Sequence, residues 1–500
     1  MAASGGGFPF LSSVLLLLLA ASALIWLVRD YRLARWIALA ATLLDLLLTL
    51  VMLWRFDSSI QGFQFIERMP WIPTLNVGYL VGVDGVSILF LPMTQLLFVG
   101  VIVASWNAVR SMPQLYFSLL LLLEAVTLGI FCALDTILFF LFWEVTLLPL
   151  YFLISLWGIG PNRRYAALKY TLFMLAGGVP LLFGLLLLAF NHAAATGAGI
   201  PEGLAFSYLL LLQTAVPEST QVLIFLLLLA GFAVKTPLIP LHTWLPVVAQ
   251  EGPVAIVALL TGLKLGAYGL LRFVVPLAPQ AALEFHWLLA GLGVVGILYA
   301  GVLAFRQTNL RRMLAFASIS HVGLVILGVA SFTLQGIQGA LFQLLNFTLV
   351  AGGIFLLAGF LHQRTGSTDF LHLGGVAKNM PLLAGFFLLF GLAGMGVPGT
   401  SGFPAEFLIL MSAIITHTGA GLAALFGFVL GAGYFLVSFR RAFLGPVGSE
   451  AVGAARDLRT REILLACLFG FLILFFGFFP SWVLELTRHG CEAWMARLSI

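Results

Sequence analysis

The sequence predicts an all-α polytopic membrane protein of about 14 transmembrane helices, two of them broken, and three observations carry that prediction. The first is composition: 62% of the 500 residues are apolar and 9% charged, against about 45–50% and about 25% in a soluble domain. So few charges cannot cover a water-facing surface, and so apolar a chain is not disordered. The second is length patterning: a bilayer-crossing helix needs about 20 mostly apolar residues, and the polar, Pro and Gly breaks divide the chain into about fourteen such runs. The third is the placement of cations on alternate sides of those runs.

The first run, 10–28, follows an N-terminus with no basic residue before Arg29, so it reads as a span and not as a cleaved signal peptide. Spans two to six are expected at 34–54, 84–107, 115–132, 135–157 and 166–190. Spans seven to eleven fall at 219–246, 253–275, 286–304, 311–331 and 337–361, and spans twelve to fourteen at 381–416, 420–440 and 463–486. The loops after odd-numbered spans hold Arg29, Arg32 and Arg35; Arg110; Arg163, Arg164 and Lys169; Arg306, Arg311 and Arg312; Arg364 and Lys378; and Arg440, Arg441, Arg456, Arg459 and Arg461. The opposite side has only Arg55, Arg68, Arg272, Arg488 and Arg497. Cation-rich loops face the cytoplasm, which puts both termini on the non-cytoplasmic side of a cell membrane, the inner membrane of a bacterium. Two of the 24 cations remain, Lys235 and Lys264, and both fall inside spans.

Several functions are excluded at this level. A net charge of +5 without basic clusters on a hydrated face does not suit nucleic-acid binding. Cys132, Cys467 and Cys491 make no CxxC pair and no metal-ligand spacing. No P-loop is present, so the chain itself does not hydrolyse ATP, and no two deep histidines suit a haem.

Two Pro-interrupted stretches stand five spans apart: Val234-Lys235-Thr236-Pro237-Leu238-Ile239-Pro240 in span seven, and Val397-Pro398-Gly399-Thr400-Ser401-Gly402-Phe403-Pro404-Ala405-Glu406 in span twelve. Paired broken spans are the signature of a transporter built from repeats, with its ion site at the breaks. The ionisable groups inside the spans agree with that. A charge at the bilayer centre costs about 2.5–3.5 kcal/mol, yet Glu144, Lys235, Lys264 and Glu406 all fall there, with Glu124 in span four a weaker candidate. Three glycines, Gly262, Gly266 and Gly269, would let a neighbouring backbone approach Lys264. A relay and a set of static helix-to-helix pairs are both compatible with this pattern; four such groups on four spans favour the relay. His321 lies deep enough in span ten to serve as a proton-relay group, and His242 follows the span-seven break. His192, His286, His362, His372, His417 and His489 fall near span ends and read as structural.

From about Gly78 to Pro446 the chain resembles the antiporter-like membrane subunits of respiratory complex I, most closely the M-type (subunit-4) branch. The resemblance lies in an ordered set of motifs: Tyr79–Ser87, Leu141-Phe142-Trp143-Glu144, Ala166–Tyr170, Phe232–Pro246, Lys264–Arg272, Gln307–His321 and Pro398–Phe407. It implies two inverted five-helix repeats, spans four to eight (115–275) and nine to thirteen (286–442), preceded by spans one to three (1–114) and followed by a loop and span fourteen (443–500). It also implies roles: Glu144 and Lys235 as the pair of a first half-channel, Lys264 and His321 as a central polar axis, and Glu406 in a second half-channel. No cofactor or metal belongs to such a chain. NADH, flavin, iron–sulfur clusters and quinone belong to its partners, among them L-, N- and K-type membrane chains, and the chain itself converts their signal into proton transfer. Three departures stand out: Val247-Val248-Ala249 where the family has Asp-Ala-His, Asn309 for an Asp, and Phe347 where a relay histidine is usual. A multi-chain cation/proton antiporter subunit, a hydrogenase or CO2-uptake membrane arm, and a non-translocating scaffold stay open as alternatives.

Overall fold

The computed structural model describes residues 8–28 and 30–498; Arg29, of the first cationic loop, lies outside the described residues. The first two helices, α1 (Phe10–Leu27) and α2 (Tyr31–Arg55), meet at Asp30, whose carboxylate accepts the Arg32 N–H at 2.8 Å and caps α2. The chain then departs from the all-helical expectation. Strands β1 (Gln64–Ile72) and β2 (Val77–Val83) pair antiparallel in a hairpin. The apolar run Tyr79–Val83 is too short for a span and is interrupted by Gly82, so a ladder satisfies its backbone where a helix cannot. Asn76, at φ 54°, supplies the left-handed residue of the reversal. From β1, Glu67 reaches the open end of α1 and accepts the N–H groups of Leu11 and Ser12 at 2.8 and 3.0 Å.

Helix α3 (Phe90–Ser105) begins six residues later than predicted, because Asp84–Leu89 forms turns. Next come α4 (Pro113–Cys132) and a predicted single span that is two helices, α5 (Thr136–Val145) and α6 (Leu147–Trp157). Pro149 has no N–H for the Val145 carbonyl, which places the joint at Thr146. Asp135 caps α5 through the N–H groups of Ile137 and Leu138, at 2.9 and 3.1 Å. The long α7 (Arg163–Thr196) and short α8 (Tyr208–Leu211) lead to α9 (Glu218–Lys235) and α10 (Trp244–Glu251), the broken span seven. Span eight is broken too, into α11 (Val254–Gly262), α12 (Leu265–Gly269), a π-turn and α13 (Val275–Leu277).

The second half follows as α14 (Pro279–Glu284), α15 (His286–Phe305), α16 (Leu310–Ala330) and α17 (Leu334–Phe347); a π-turn at 348–352 then continues into α18 (Gly353–Thr365). Short α19 (Val376–Asn379) precedes α20 (Pro381–Gly394) and α21 (Gly402–Thr416), the predicted broken span twelve. Helices α22 (Thr418–Phe443), α23 (Glu450–Ala454), α24 (Thr460–Phe478) and α25 (Ser481–Met495) complete the chain. The predicted span 463–486 overran: Pro480 ends it, and α25 is a separate helix that buries Val483, Thr487, Cys491 and Trp494 at helical spacing while Glu485 and Arg488 stay outside that stripe.

Among the described residues twelve helical segments are long and apolar enough to cross a membrane, and Phe90–Ser105, Pro381–Gly394 and Gly402–Thr416 are shorter apolar helices. The protein is an integral membrane protein. Burial sorts its segments: 83–94% of the most apolar stretch is buried in Pro113–Cys132, Val254–Leu277, Leu310–Ala330 and Leu334–Thr365, against 28% in the first two helices. Three of these four inner segments carry Glu124, Lys264 and His321, whereas Glu144 and Lys235 belong to half-buried segments.

Candidate functional site

Two helix breaks, packed on each other, bring the lysines together. Helix α9 stops at Lys235 because Pro237 and Pro240 lack N–H groups to continue it. In span eight the break falls on Lys264 itself, which adopts φ 44° between α11 and α12. Gly266 makes the contact between the two breaks: a Cβ there would collide with the backbone of Lys235 and Thr236. Of the three glycines beside Lys264, Gly262 and Gly266 thus admit a neighbouring backbone, while Gly269 admits the ring of Phe232. Lys235 and Lys264 consequently line one cavity of about 30 Å³, whose wall is otherwise mostly leucine with Thr127, Thr146 and Trp244; a space of that size has room for a water.

Each ammonium is held by a hydroxyl and a ring. Lys235 Nζ donates to Thr146 Oγ1 at 2.9 Å and lies 4.0 Å over the Trp143 ring. Lys264 Nζ donates to Ser318 Oγ at 2.5 Å and lies 5.0 Å from the Phe347 ring. Phe347, where the expected histidine is missing, is therefore a cation–π partner of the central lysine. Glu144 and Lys235 are coupled electrostatically, yet among the described residues they make no ion pair. The Glu144 carboxylate instead packs on Gly178 of α7, with its buried Oε1 unpartnered. A side chain at 178 would strike the tip of that carboxylate, which would have to swing aside.

Ser318 links the lysines to a second cluster. It lines another cavity, of about 60 Å³, with His321, Gln343, Asn346 and Tyr434. There His321 Nδ1 is 3.3 Å from Glu406 Oε1, and Gln343 Nε2 donates to the same oxygen at 3.3 Å. Asn346 Nδ2 donates to Gln343 Oε1 at 3.3 Å, the Ser401 hydroxyl donates to Asn346, and Tyr434 Oη lies 3.4 Å from His321 Nε2. Glu406 is fixed at the start of α21 by the second break, its other oxygen buried against Gly396 with no partner. Thr146, Ser318, Gln343, Asn346 and Ser401 escaped the sequence reading, which looked for ionisable groups. Gln343 and Asn346, three apart in the otherwise apolar second half of α17, were the available signal.

The remaining candidates lie apart from this chain of contacts. Glu124 is wholly buried in mid-helix and accepts a hydrogen bond from Thr42 at 2.8 Å; it is coupled to Asp45 of α2, a buried acid the sequence reading missed, which accepts from Gln95 at 2.7 Å. His242 is buried between the rings of Tyr299 and Phe316, its Nδ1 unpartnered. Two span-end histidines, His286 and His417, meet with ring nitrogens 2.7 Å apart. The other departures are structurally accounted for. Asn309 caps α16 through the Arg311 N–H at 3.0 Å and donates to Asp369 at 2.5 Å, where an aspartate would face a second carboxylate. Val248 and Ala249 of α10 are fully buried packing residues.

Comparison with known proteins adds a family. Residues 133–431 match the transmembrane family described as NADH:quinone oxidoreductase/Mrp antiporter. The chain is 36% identical to NADH-quinone oxidoreductase subunit M of Rickettsia conorii over 91% of both chains. It is 35% identical to the F(420)H(2) dehydrogenase subunit M of Methanosarcina mazei, over 97% of this chain and 98% of the relative. Its fold matches a chain of respiratory complex I from Thermus thermophilus with bound NADH at a TM-score of 0.88, with 31% identity over 98% of this chain and 99% of that one.

Proposed function

This chain belongs to the NADH:quinone oxidoreductase/Mrp antiporter transmembrane family, on its M (chain 4) branch, and we propose from that premise that it carries protons across the membrane in response to redox chemistry in other chains of an NADH:quinone oxidoreductase-like complex. The observation that supports the reading is a series of hydrogen bonds and shared cavities from Lys235 to Glu406: two lysines on one cavity, Lys264 bonded to Ser318, and Ser318 on a second cavity with His321, which meets Glu406.

The chemistry follows from burial. A desolvated ammonium is poised to give up its proton, and a nearby carboxylate opposes that release. Glu144 is coupled to Lys235 without being bonded to it, so a small change in their separation alters the lysine's hold on its proton. A proton released at Lys235 has Lys264 across the same cavity as its next acceptor. From Lys264 the hydroxyl of Ser318 can pass it toward His321, and Glu406 completes the series. In this reading Phe90–Ser105 and the broken pair α20–α21 each count as one span, which gives fourteen, and the spans within 115–275 and 286–442 form two inverted repeats. Flavin, iron–sulfur clusters, NADH and quinone belong to partner chains, and L-, N- and K-type membrane chains flank this one. M-type relatives named for NADH and for F(420)H(2) are equally similar to this chain, at 36% and 35% identity, as expected of a subunit whose work is independent of the electron donor.

The test removes links and leaves every titratable group in place. Ser318→Ala and Gln343→Leu are expected to slow proton translocation by the assembled complex about tenfold each, on the scale of a lost proton-transfer partner, with quinone reduction in uncoupled membranes retained. Unchanged translocation in both variants would overturn the reading. Loss of assembly with normal translocation by the complexes that do form would favour a scaffold.

A further inference from the structure

The side of the bundle that bears the cationic loops gathers four arginines around one acid. Arg459 and Arg461 stand at the start of α24, and Asn107, just past α3, joins them. With its amide oxygen toward them, Asn107 accepts from Arg459 Nη1 and, at 2.6 Å, from Arg461 Nη2. The charges that act on Arg461 are those of Arg35, Arg364, Arg459 and the acid Glu462. That acid is already taken: it pairs with Arg364 and accepts the Arg459 N–H at 3.0 Å. Among the described residues the buried Nε of Arg461 has no partner, and the positive end of the α24 dipole adds to the same field.

Below the arginines runs a groove. Helix α3 is buried except at Met93, Val99 and Val103. At about 100° per residue, Val99, Val103 and half-buried Trp106 fall on one strip. Gln95, bonded to Asp45 and Thr49 of α2, lies on one side of that strip; Gly100, which meets Leu465 of α24, lies on the other. The strip is therefore a floor, with α2 and α24 as its walls. At the arginine end, Arg35 Nη1 donates to the Trp106 carbonyl at 2.9 Å, and exposed Trp36 meets the Trp106 ring edge-on at 4.8 Å. On α24, helical spacing puts Arg461 at the head of an apolar row, Leu464, Leu468 and Phe471, which are 66%, 43% and 61% exposed.

We propose that this groove holds an anionic phospholipid of the leaflet on the side of the cationic loops, its phosphate at Arg459 and Arg461 and one acyl chain laid on Val99 and Val103 beside Leu464, Leu468 and Phe471. A phosphate offers several acceptors to guanidinium forks, one of them for the Nε of Arg461, and basic pockets between helices on the cytoplasmic side suit such headgroups. The apolar floor separates a lipid from a free anion, which would meet the arginines and leave the valines and leucines uncovered. An acidic peptide would meet the arginines too, yet a lone extended strand does not run through hydrocarbon with its backbone unsatisfied. Length agrees: from 461 to 471 the helix descends about 15 Å, the depth of one leaflet of a core about 30 Å thick. Such a lipid would join the second and third spans to the last one, and the site does not depend on the relay.

The test uses the assembled complex in nanodiscs doped with phosphatidylglycerol or with phosphatidylcholine, each carrying a photoactivatable group in one acyl chain. Phosphatidylglycerol should label peptides containing residues 99–103 or 464–471 at least about fivefold more than phosphatidylcholine does, on the scale of one arginine's attraction. Equal labelling by the two lipids would overturn the site, and so would no labelling by either, the result if a partner chain fills the groove. Inorganic phosphate in molar excess should leave the labelling in place; its displacement by phosphate would mark a free-anion site and overturn the lipid. Arg461→Gln should lower the preference about fivefold, while Arg461→Lys, which keeps the charge, should hold most of it. An unchanged preference in Arg461→Gln would overturn the headgroup assignment. The comparison of the two lipids is made on the parent complex, so it decides even where a variant fails to assemble.

Discussion

Lys235→Met is expected to abolish proton translocation by the assembled complex, a loss of at least about a hundredfold, while electron transfer to quinone persists in uncoupled membranes. Methionine keeps nearly the volume and the unbranched shape of lysine, so packing against Trp143 survives and the bundle should still assemble. What disappears is the ammonium, its bond to Thr146 at 2.9 Å and its coupling to Glu144. Lys235→Arg sharpens the experiment, because a guanidinium keeps the charge and does not release its proton. If charge alone matters, arginine restores translocation; if the residue must give up and regain a proton, arginine is as silent as methionine, which is the outcome expected here. Proton-to-electron ratios measured with a pH-sensitive dye decide it, and full translocation by the methionine variant would sink the relay. Glu144→Gln should also lower the ratio sharply, by removing the charge that opposes release.

Arg272→Ala is expected to destabilise the chain by about 3–5 kcal/mol, the usual result of removing one partner from a buried ion pair. Arg272 Nη1 lies 2.7 Å from Asp84 Oδ2, with side chains 6% and 11% exposed. The guanidinium sits between the rings of Phe63 and Tyr208, 4.7 and 5.2 Å from their centroids, and the Tyr208 hydroxyl donates to the Arg272 carbonyl at 2.8 Å. One residue thus ties the hairpin approach, the segment before α3, α8 and span eight together. Proteins hold only about 5–15 kcal/mol of net stability, so the chain should fail to accumulate in the membrane. The partner test is Asp84→Asn with Arg272→Met: removing both charges leaves no orphan and should recover most of the loss. Normal accumulation of Arg272→Ala, by quantitative immunoblot of membranes, would contradict this account.

The spans and their order were legible because lipid enforces a simple rule: about 20 apolar residues per crossing. The breaks at Pro237 and Pro398 were legible because proline removes a donor wherever it stands. The break on Lys264 was not, since no proline marks it; it depends on Gly266 meeting the backbone of another span. The hairpin was missed because its strands are short and partly polar, and only pairing makes them regular. In the site, charged groups announced themselves by the cost of burying them. Neutral Ser318, Gln343 and Asn346 carry little such cost on paper, and their importance comes from lying between the charges once the helices pack. Asp45 is the exception: an acid inside a span that the same reasoning could have found.

The bonds from Glu67 to the N–H groups of Leu11 and Ser12 carry a consequence for how the chain is made. The leading end of the first helix is completed by a residue synthesised 55 positions later. Until β1 has emerged and turned back, those amides have only water as partner, although the helix can already pack on α2. A ribosome stalled before residue 67 therefore leaves the leading turn of the first helix uncapped while the rest of it is already paired with its neighbour.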